Sequence, residues 1–453
     1  MMDPNAALLA DLYELTMAQV YFRRKRRTRS TFDLTARRLP VNRSFLIAAG
    51  LHDILEYIRA LRFTPDGLRY LRSLRIFSGE FLRYLATFRF TGDIWAMPEG
   101  TVFFAGEPVV RVTAPVMEAQ MIEGFLLNTI NLQTMIASKA ARVVQAAEGR
   151  AVYDFSLRRT HGADASVKAA RSSYLAGCSG TSNVLAGRLY GIALSGTMAH
   201  SFVTAFGSEI EAFRAYADVF RERTVLLVDT YDVGQGIRNA VRVGREMKKK
   251  GARLMGIRID SGDLIKAAGY ARRCLDTAGL GHVKIIASGN LDERSIARIL
   301  AKGAAVDGFG VGTHMGTSSD APVLDVIYKM SEVTDRAGRF VPVMKLSRAK
   351  ATLPGRKQVY RVRAPSGAFL KDIIALEKEK IPGTPLLVPV VQNGSVMYNI
   401  PKLEASRRRA AEDISSLPPG VRHIDGTIVY PVVLSTGLRN LRARLARALR
   451  ARQ

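Results

Sequence analysis

From residue 152 to residue 311 the chain repeats one pattern: a short apolar run, a polar or glycine-bearing turn, then a charged stretch of helical length. The apolar runs are 152–155, 192–194, 225–228, 254–259, 283–287 and 306–311. Between the last four lie 230–251, 263–281 and 291–303, each rich in charge and suited to a helix. Strands alternating with helices predict a parallel sheet joined by crossover helices, as a barrel or a doubly wound sheet. The strand ends favour the barrel, because they read SGTMAH, DTYD, DSGD, SGN and GVGTH in turn. Loops at the C-terminal strand ends of an α/β barrel converge on one site. Glycine at such ends lets backbone amides approach a ligand closely, as phosphate binding requires. Any βα turn favours Gly, Ser and Asp, so a single ending would carry no information. The argument rests on five in order.

The chain ends follow a different pattern. Residues 8–21 predict a helix ahead of a basic run at 22–29, and FDLTARRLP predicts a strand. Residues 100–115, GTVFFAGEPVVRVTAP, have the turn-bounded pattern of a hairpin. Residues 118–147 predict a helix whose apolar positions are interrupted by Asn128, Asn131 and Gln133. Beyond Lys345, LPGRKQVYRV and the segment 427–433 look β-rich again. The fold class expected is therefore α/β. A barrel over 131–340 stands beside a second unit built by residues 1–130 and 341–430, with a basic amphipathic tail at 431–453. No internal repeat or long low-complexity linker is visible.

Length and composition narrow this picture. A chain of 453 residues, 47% hydrophobic and 24% charged, suits a globular protein of two or three domains. Its longest apolar runs have strand length, well short of the ~20 residues a bilayer needs. Asp3, Asp11 and Glu14 interrupt the N-terminal apolar positions, and no basic region leads into an apolar core, so no signal peptide is read there. Two cysteines, Cys178 and Cys274, exclude a disulfide framework and a four-cysteine zinc site. The expectation is a cytoplasmic protein.

The formal net charge of +27 calls for an account. Much of it lies in FRRKRRTR at 22–29, Lys248 to Lys250, Arg407 to Arg409 and the tail LRNLRARLARALRARQ. Leu438, Leu441, Leu445 and Leu449 share one helix face in that tail. Such a helix could touch nucleic acid or an acidic membrane surface, but a solvated basic helix partly packed on its own protein is the favoured reading. No zinc-finger spacing, RRM aromatic signature or Walker loop accompanies the charge, so no specific nucleic-acid partner is expected. Attraction of a multiply phosphorylated small substrate is a compatible consequence.

Of the six histidines, His200 stands out because it follows one of the polar strand ends, in LSGTMAHSF. An isolated histidine there would be a hydrogen-bonded core residue. The surrounding motifs change this. ADLYELTMAQ, FLLNTINLQT, DFSLRRTHGAD, GTSNVLAGRLYGIALSGTMAHSF, IRIDSGDL, IIASGNLDE and GFGVGTHMGTSSDAPVLDVIYK, taken in order and spacing, resemble nicotinate phosphoribosyltransferases from about residue 8 to 400. The resemblance implies a type II phosphoribosyltransferase fold, an incomplete α/β barrel beside a mixed α/β sandwich domain formed by both chain ends, and a homodimer. It also implies transfer of phosphoribose from 5-phosphoribosyl 1-diphosphate to nicotinate, the first step of NAD salvage from nicotinate. ATP hydrolysis would be coupled through a phosphohistidine, with Mg2+.

On this resemblance His200 is the phosphorylated histidine; a neutral imidazole nitrogen is nucleophilic near pH 7. Thr197 and Ser201 are hydroxyl neighbours for a phosphoryl oxygen or the pyridine carboxylate. Phe155 and Tyr13 would sandwich the pyridine ring, with Tyr13 reaching from the other protomer. Arg158 and Arg258 would offer cations to the carboxylate or a phosphate, while Arg159 could face elsewhere in an ordinary ion pair. Asp260 would accept from the ribose hydroxyls, beside Ser261. Gly289, Asn290, Gly312 and Thr313 would hold the phosphoribosyl group. Asp229 and Asp263 are candidates for Mg2+, against an equally weighted reading as helix N-caps. His161 and His314 are expected to be structural. Nicotinamide-using relatives carry an aspartate where this chain has Ser182. A carboxylate there would repel nicotinate, whereas serine can donate a hydrogen bond. A quinolinate site would need a denser cationic pocket. The non-enzymatic alternative is a polyanion-binding protein on an inactive barrel.

Overall fold

The computed structural model describes residues 3–346, 352–424 and 428–451. The chain divides into two compact units, one of residues 136–322 and one of 1–135 with 323–453. The change of unit at Val323, earlier than the expected boundary at 340, has a simple cause. The strand Val326–Thr334 pairs antiparallel with Arg29–Ala36 and so belongs to the sheet of the chain ends.

The first-named unit carries a six-stranded parallel sheet. Its order is Gly180–Thr181, Ala151–Asp154, Gly308–Val311, Lys284–Ala287, Gly256–Ile259 and Val225–Leu227. Every neighbouring pair is parallel, as βαβ crossovers require. The sheet curls into a half-barrel. The crossover helices are set by local sequence. Val233–Lys249 buries Ile237, Ala240, Val243, Gly244 and Met247, a three-and-four spacing that puts one stripe on the sheet. Asp232, Asp263 and Asp292 each cap the following helix by accepting from the backbone N–H three residues on.

One expected strand failed. Residues 192–194 form no strand; Leu194 makes a lone parallel bridge to Thr181 and is 57% exposed. The run begins only after the helix Val184–Tyr190 has ended on Gly191, which leaves too few residues to propagate a ladder. Its place at the sheet edge is taken by Gly180–Thr181, two residues with no apolar signature.

The unit of the chain ends holds a seven-stranded antiparallel sheet and a four-stranded sheet. The strand Arg29–Ala36 lies inside the larger sheet and is covered on both faces. Phe32 stacks on Tyr328 with ring centroids 4.6 Å apart, while Asp33 on the opposite face meets Lys357 Nζ at 2.7 Å. Lys357 belongs to Lys357–Arg363 of the smaller sheet. Further in, Arg361 pairs with Asp372 at 2.6 Å, and Tyr430 donates to the same carboxylate at 3.1 Å.

Three expectations are corrected here. The 100–115 segment forms no hairpin: Val102–Phe103 pairs with Leu46–Ile47, and Pro108–Pro115 lies between Arg29–Ala36 and Asp93–Ala96. The N-terminal helix runs Leu12–Arg24, into the basic run, because Phe22 packs against Phe81 and Tyr84 at 5.8 and 5.1 Å. The helix expected over 118–147 is broken at Ile122 into Val116–Met121 and Glu123–Ala146. Of the β-rich segment expected at 427–433, Thr427 lies outside the described residues and Val432–Leu434 is a strand pairing parallel with Phe369–Leu376. The basic tail is partly packed: Thr436–Arg450 is a helix that buries Leu438 and Leu441, and Arg452 and Gln453 lie outside the described residues. No helix among the described residues is long and apolar enough to cross a membrane.

Glu14 is wholly buried in this unit, with both carboxylate oxygens lacking a hydrogen-bond partner. Burial, then the nearby Glu123 charge, pushes its carboxyl from 4.5 up to about 8. Because the folded value lies above the unfolded one, the stability held below pH 4.5 is lost as pH rises towards about 8. Glu14→Gln, neutral at every pH, is expected to raise the melting temperature at pH 8.5 and to change it little at pH 5. Equal effects at both pH values would contradict the assignment.

Candidate functional site

The C-terminal ends of the parallel strands surround a cavity of about 570 Å3. Five of the six strand ends contribute, by continuing their extended backbone into a polar loop, while the end of Val225–Leu227 supplies no lining residue. Ala151–Asp154 delivers Phe155, Arg158 and Arg159, and Gly180–Thr181 delivers Ser182. The segment 196–200 brings Thr197 and His200; Gly256–Ile259 brings Arg258 and Asp260. Lys284–Ala287 leads into Ser288, Gly289 and Asn290, and Gly308–Val311 into Gly312 and Thr313. Eleven residues expected from sequence therefore line one cavity: Phe155, Arg158, Ser182, Thr197, His200, Arg258, Asp260, Gly289, Asn290, Gly312 and Thr313.

The polar groups are already cross-linked. Arg258 Nη1 donates to Thr197 Oγ1 at 2.7 Å, and Nη2 lies 3.8 Å from Asp260 Oδ1. Burial pushes the Arg258 pKa down, opposed by the carboxylates of Asp260 and Asp229. Its guanidinium carbon lies over the Phe155 ring, 6.0 Å from the centroid, so one face of the ring meets a cation. Ser288 Oγ donates to Asp260 Oδ1 at 2.5 Å, which fixes the carboxylate while leaving it acceptor capacity. His200 Nδ1 lies 3.2 Å from Thr230 Oγ1, a contact that orients the ring. Asp154, buried at the strand end, accepts from Ser156 N at 3.0 Å and Thr181 Oγ1 at 2.8 Å and so ties two adjoining loops together.

Two glycines are required by close approach. Gly289 has φ +94°, and a Cβ there would stand 1.8 Å from the Asp260 carbonyl oxygen. At Gly310 a Cβ would fall 2.4 Å from the Phe155 ring. The backbone of Gly308–Val311 thus supplies the flat surface against which the aromatic ring lies.

Five expected residues do not line the cavity, among them Ser201, which is exposed on the short helix His200–Thr204. Tyr13 belongs to the other unit, where it is 45% exposed. Ser261 Oγ donates to Asp229 Oδ2 at 2.5 Å, and Asp260 N donates to the same oxygen at 3.1 Å. Ser261 and Asp229 therefore brace the Asp260 loop from behind. Asp263 caps Leu264–Thr277 by accepting from Lys266 N at 3.1 Å, and that bond holds its carboxyl below the usual range. Its N-cap reading is the one the geometry favours.

Sequence reasoning missed Ser288 and Thr230, both in quoted strand endings, and set Arg159 aside although it lines the cavity with Arg158. Adjacency in DFSLRR had suggested that one arginine turns away. The loop instead turns after Ser156, where Arg159 N donates to Ser156 O at 2.7 Å. Nothing in the linear pattern says that Gly310 backs the Phe155 ring.

Comparison with known proteins fits this geometry. Family models described as the nicotinate phosphoribosyltransferase N-terminal domain, family and C-terminal domain match residues 8–131, 151–364 and 383–442. The chain is 48% identical to nicotinate phosphoribosyltransferase pncB2 of Mycobacterium tuberculosis over 444 residues, covering 98% of this chain and 94% of that one. It is 40% identical to the Bacillus subtilis nicotinate phosphoribosyltransferase, across 84% of this chain and 78% of that one. The crystal structure of human nicotinic acid phosphoribosyltransferase superposes with a TM-score of 0.86 at 30% identity, over 96% of this chain and 99% of that one. A nicotinate-nucleotide pyrophosphorylase from Pyrococcus furiosus superposes with a TM-score of 0.74 at 26% identity, over 92% and 97%. With the family model spanning the whole cavity-bearing half of the chain, and relatives this similar end to end, the chain belongs to the nicotinate phosphoribosyltransferase family.

Proposed function

We propose that the chain transfers phosphoribose from 5-phosphoribosyl 1-diphosphate to nicotinate, releasing diphosphate, and that ATP hydrolysis drives the reaction through phosphorylation of His200. The product is nicotinate mononucleotide, and the step returns free nicotinate to the pyridine nucleotide pool. The observation that carries the reading is the charge of the cavity. Among the described residues Arg158, Arg159 and Arg258 line it against a single lining carboxylate, Asp260, with the Phe155 ring beside them. A flat anionic heteroaromatic and a multiply phosphorylated sugar both suit such a site.

Each residue then has a part. Nicotinate stacks on Phe155, with its carboxylate towards Arg258 and the hydroxyls of Thr197 and Ser182. Asp260 accepts from the ribose diol. The amides of Gly289, Asn290, Gly312 and Thr313 and the guanidinium of Arg158 take the phosphates. The pyridine nitrogen attacks C1 of the ribose as the C1–oxygen bond to diphosphate breaks, and the bonding pair leaves with diphosphate. In the coupled half-reaction His200 Nε2 takes the γ-phosphoryl group of ATP and ADP departs. Water later cleaves the N–P bond, and phosphate is released.

Among the described residues no cluster of three or more His, Cys, Asp or Glu is arranged to hold a metal ion. Mg2+ needs no such cage, since one or two carboxylates plus substrate phosphates suffice. The buried Oδ1 of Asp229 has no hydrogen-bond partner, and Asp260 is its neighbour, so these two residues fit the ion where Asp263 does not. When bound with the phosphates, Mg2+ would offset the charge gathering on diphosphate.

The exposed Tyr13 is assigned to the site of a second copy in a homodimer, where it would cover the open face of the pyridine. Ser182 favours nicotinate over nicotinamide, since a serine hydroxyl accommodates a carboxylate that an aspartate would repel. Purified protein supplied with nicotinate, phosphoribosyl diphosphate, Mg2+ and ATP is expected to form nicotinate mononucleotide and diphosphate, faster with ATP than without. Turnover of nicotinamide or quinolinate in its place would overturn the assignment. Polyanion binding with no turnover would favour the inactive-barrel alternative.

A further inference from the structure

A buried cluster behind the cavity has no part in the chemistry described so far. Lys139, on the long helix Glu123–Ala146, is 1% exposed, and its Nζ lies 2.5 Å from Glu293 Oε2 and 2.8 Å from Asp320 Oδ1. Arg142, one turn further on, donates through Nε to Glu293 Oε1 at 3.0 Å. An ammonium this deep is costly to desolvate and persists only where carboxylates surround it.

The two carboxylates come from different strand-end loops. Glu293 opens the helix Glu293–Ala301, three residues after Asn290, and the capping box of Asp292 with Ser295 fixes the start of that helix. Asp320 closes the loop that begins at Gly312 and Thr313. That loop is bonded within itself, by Thr317 N to Thr313 O at 3.0 Å and by His314 Nδ1 with Ser319 Oγ at 2.6 Å. Both loops thus lead to a carboxylate that meets the same ammonium.

We infer that Lys139 is a positioning residue for the phosphoribosyl half of the site. By clamping Glu293 and Asp320 together, it fixes the distance between the Gly289–Asn290 and Gly312–Thr313 phosphate loops. The inference rests on the functional reading above. It assigns Lys139 no contact with substrate, and it leaves the nicotinate half, built on Phe155, Ser182 and Thr197, untouched.

The test compares Lys139→Met, Lys139→Arg and Asp320→Asn with the full-length parent, measuring KM for each substrate and kcat. Asp320 is partly exposed (28% for its side chain), so its amide variant removes one arm of the clamp while Lys139, Arg142 and Glu293 stay paired. The expected result is a KM for phosphoribosyl diphosphate raised at least tenfold in Lys139→Met and several-fold in Asp320→Asn, with KM for nicotinate within twofold of the parent. Lys139→Arg should recover part of the loss. The double variant should be no worse than Lys139→Met alone, because both changes break the same link. Equal rises in both KM values, strictly additive losses, or unchanged kinetics in all three variants would overturn the inference while leaving the functional reading intact. Absence of nicotinate turnover by the parent would overturn both.

Discussion

His200→Ala is expected to abolish ATP hydrolysis and all stimulation by ATP, while a slow ATP-independent formation of nicotinate mononucleotide persists. The reasoning is structural. His200 lines the cavity on the segment that also supplies Thr197, and Thr230 holds its Nδ1 at 3.2 Å. Among the described residues His200 supplies the only imidazole lining that cavity, so its removal leaves no second imidazole there. The groups assigned to glycosyl transfer itself, Phe155, Arg158, Arg258 and Asp260, remain in place, so the uncoupled reaction survives. Diphosphate and ADP release, followed in parallel with and without ATP, separate the two activities. Full retention of ATP-stimulated synthesis would show that the phosphoryl acceptor is a different group. Loss of the uncoupled reaction as well would give the imidazole a part in glycosyl transfer.

Gly310→Ala is expected to be nearly as damaging, by a different route. The added methyl would stand 2.4 and 2.6 Å from two Phe155 ring carbons and 3.2 Å from Ser288 Cβ. No carbon pair tolerates the first two distances, so the ring must move. Gly310 is the third residue of a buried strand paired on both sides, so the backbone cannot yield instead. Overpacking of this kind costs about 1–3 kcal/mol of stability. The larger expected effect is on function, since the displaced ring is the proposed nicotinate platform and Ser288 holds Asp260. A rise of roughly tenfold or more in KM for nicotinate is expected, corresponding to about 1.4 kcal/mol of lost binding for each factor of ten. Calorimetric melting of the same preparation shows whether folding accounts for the change. A folded variant with parental KM values would mean that Phe155 does not carry the pyridine.

How much of this was legible in the chain differs by element. The helices 230–251, 263–281 and 291–303 were read within a few residues of their observed limits, because helix periodicity and Asp caps are local signals. Gly180–Thr181 was not read at all. A two-residue strand has no periodicity; it is held by the 193–195 backbone, which partners the Thr181 N–H and C=O, and by the Asp154 carboxylate, which accepts from Thr181 Oγ1. The supposed hairpin at 100–115 failed for the complementary reason. Its two strands had suitable patterns, but strand pairing is decided by distant residues, and Leu46–Ile47 and Asp93–Ala96 supplied the actual neighbours.

The sequence by itself determined the βα alternation, four of the five polar strand ends and the residue types that give the cavity its cationic, phosphate-accepting character. Those follow from period, turn chemistry and charge, which are properties of neighbours along the chain. Only the tertiary structure decided which of these side chains meet. It turned Arg159 into the cavity beside Arg158, assigned Asp263 to a helix cap, and set Ser261 and Asp229 behind Asp260. It also placed Gly310 under Phe155 and brought Lys139 between two carboxylates far from it in sequence. The physical reason is the same in each case. Contacts between strands and loops are fixed by the curl and register of the sheet, and no local pattern encodes the distance between residues that the fold alone makes adjacent.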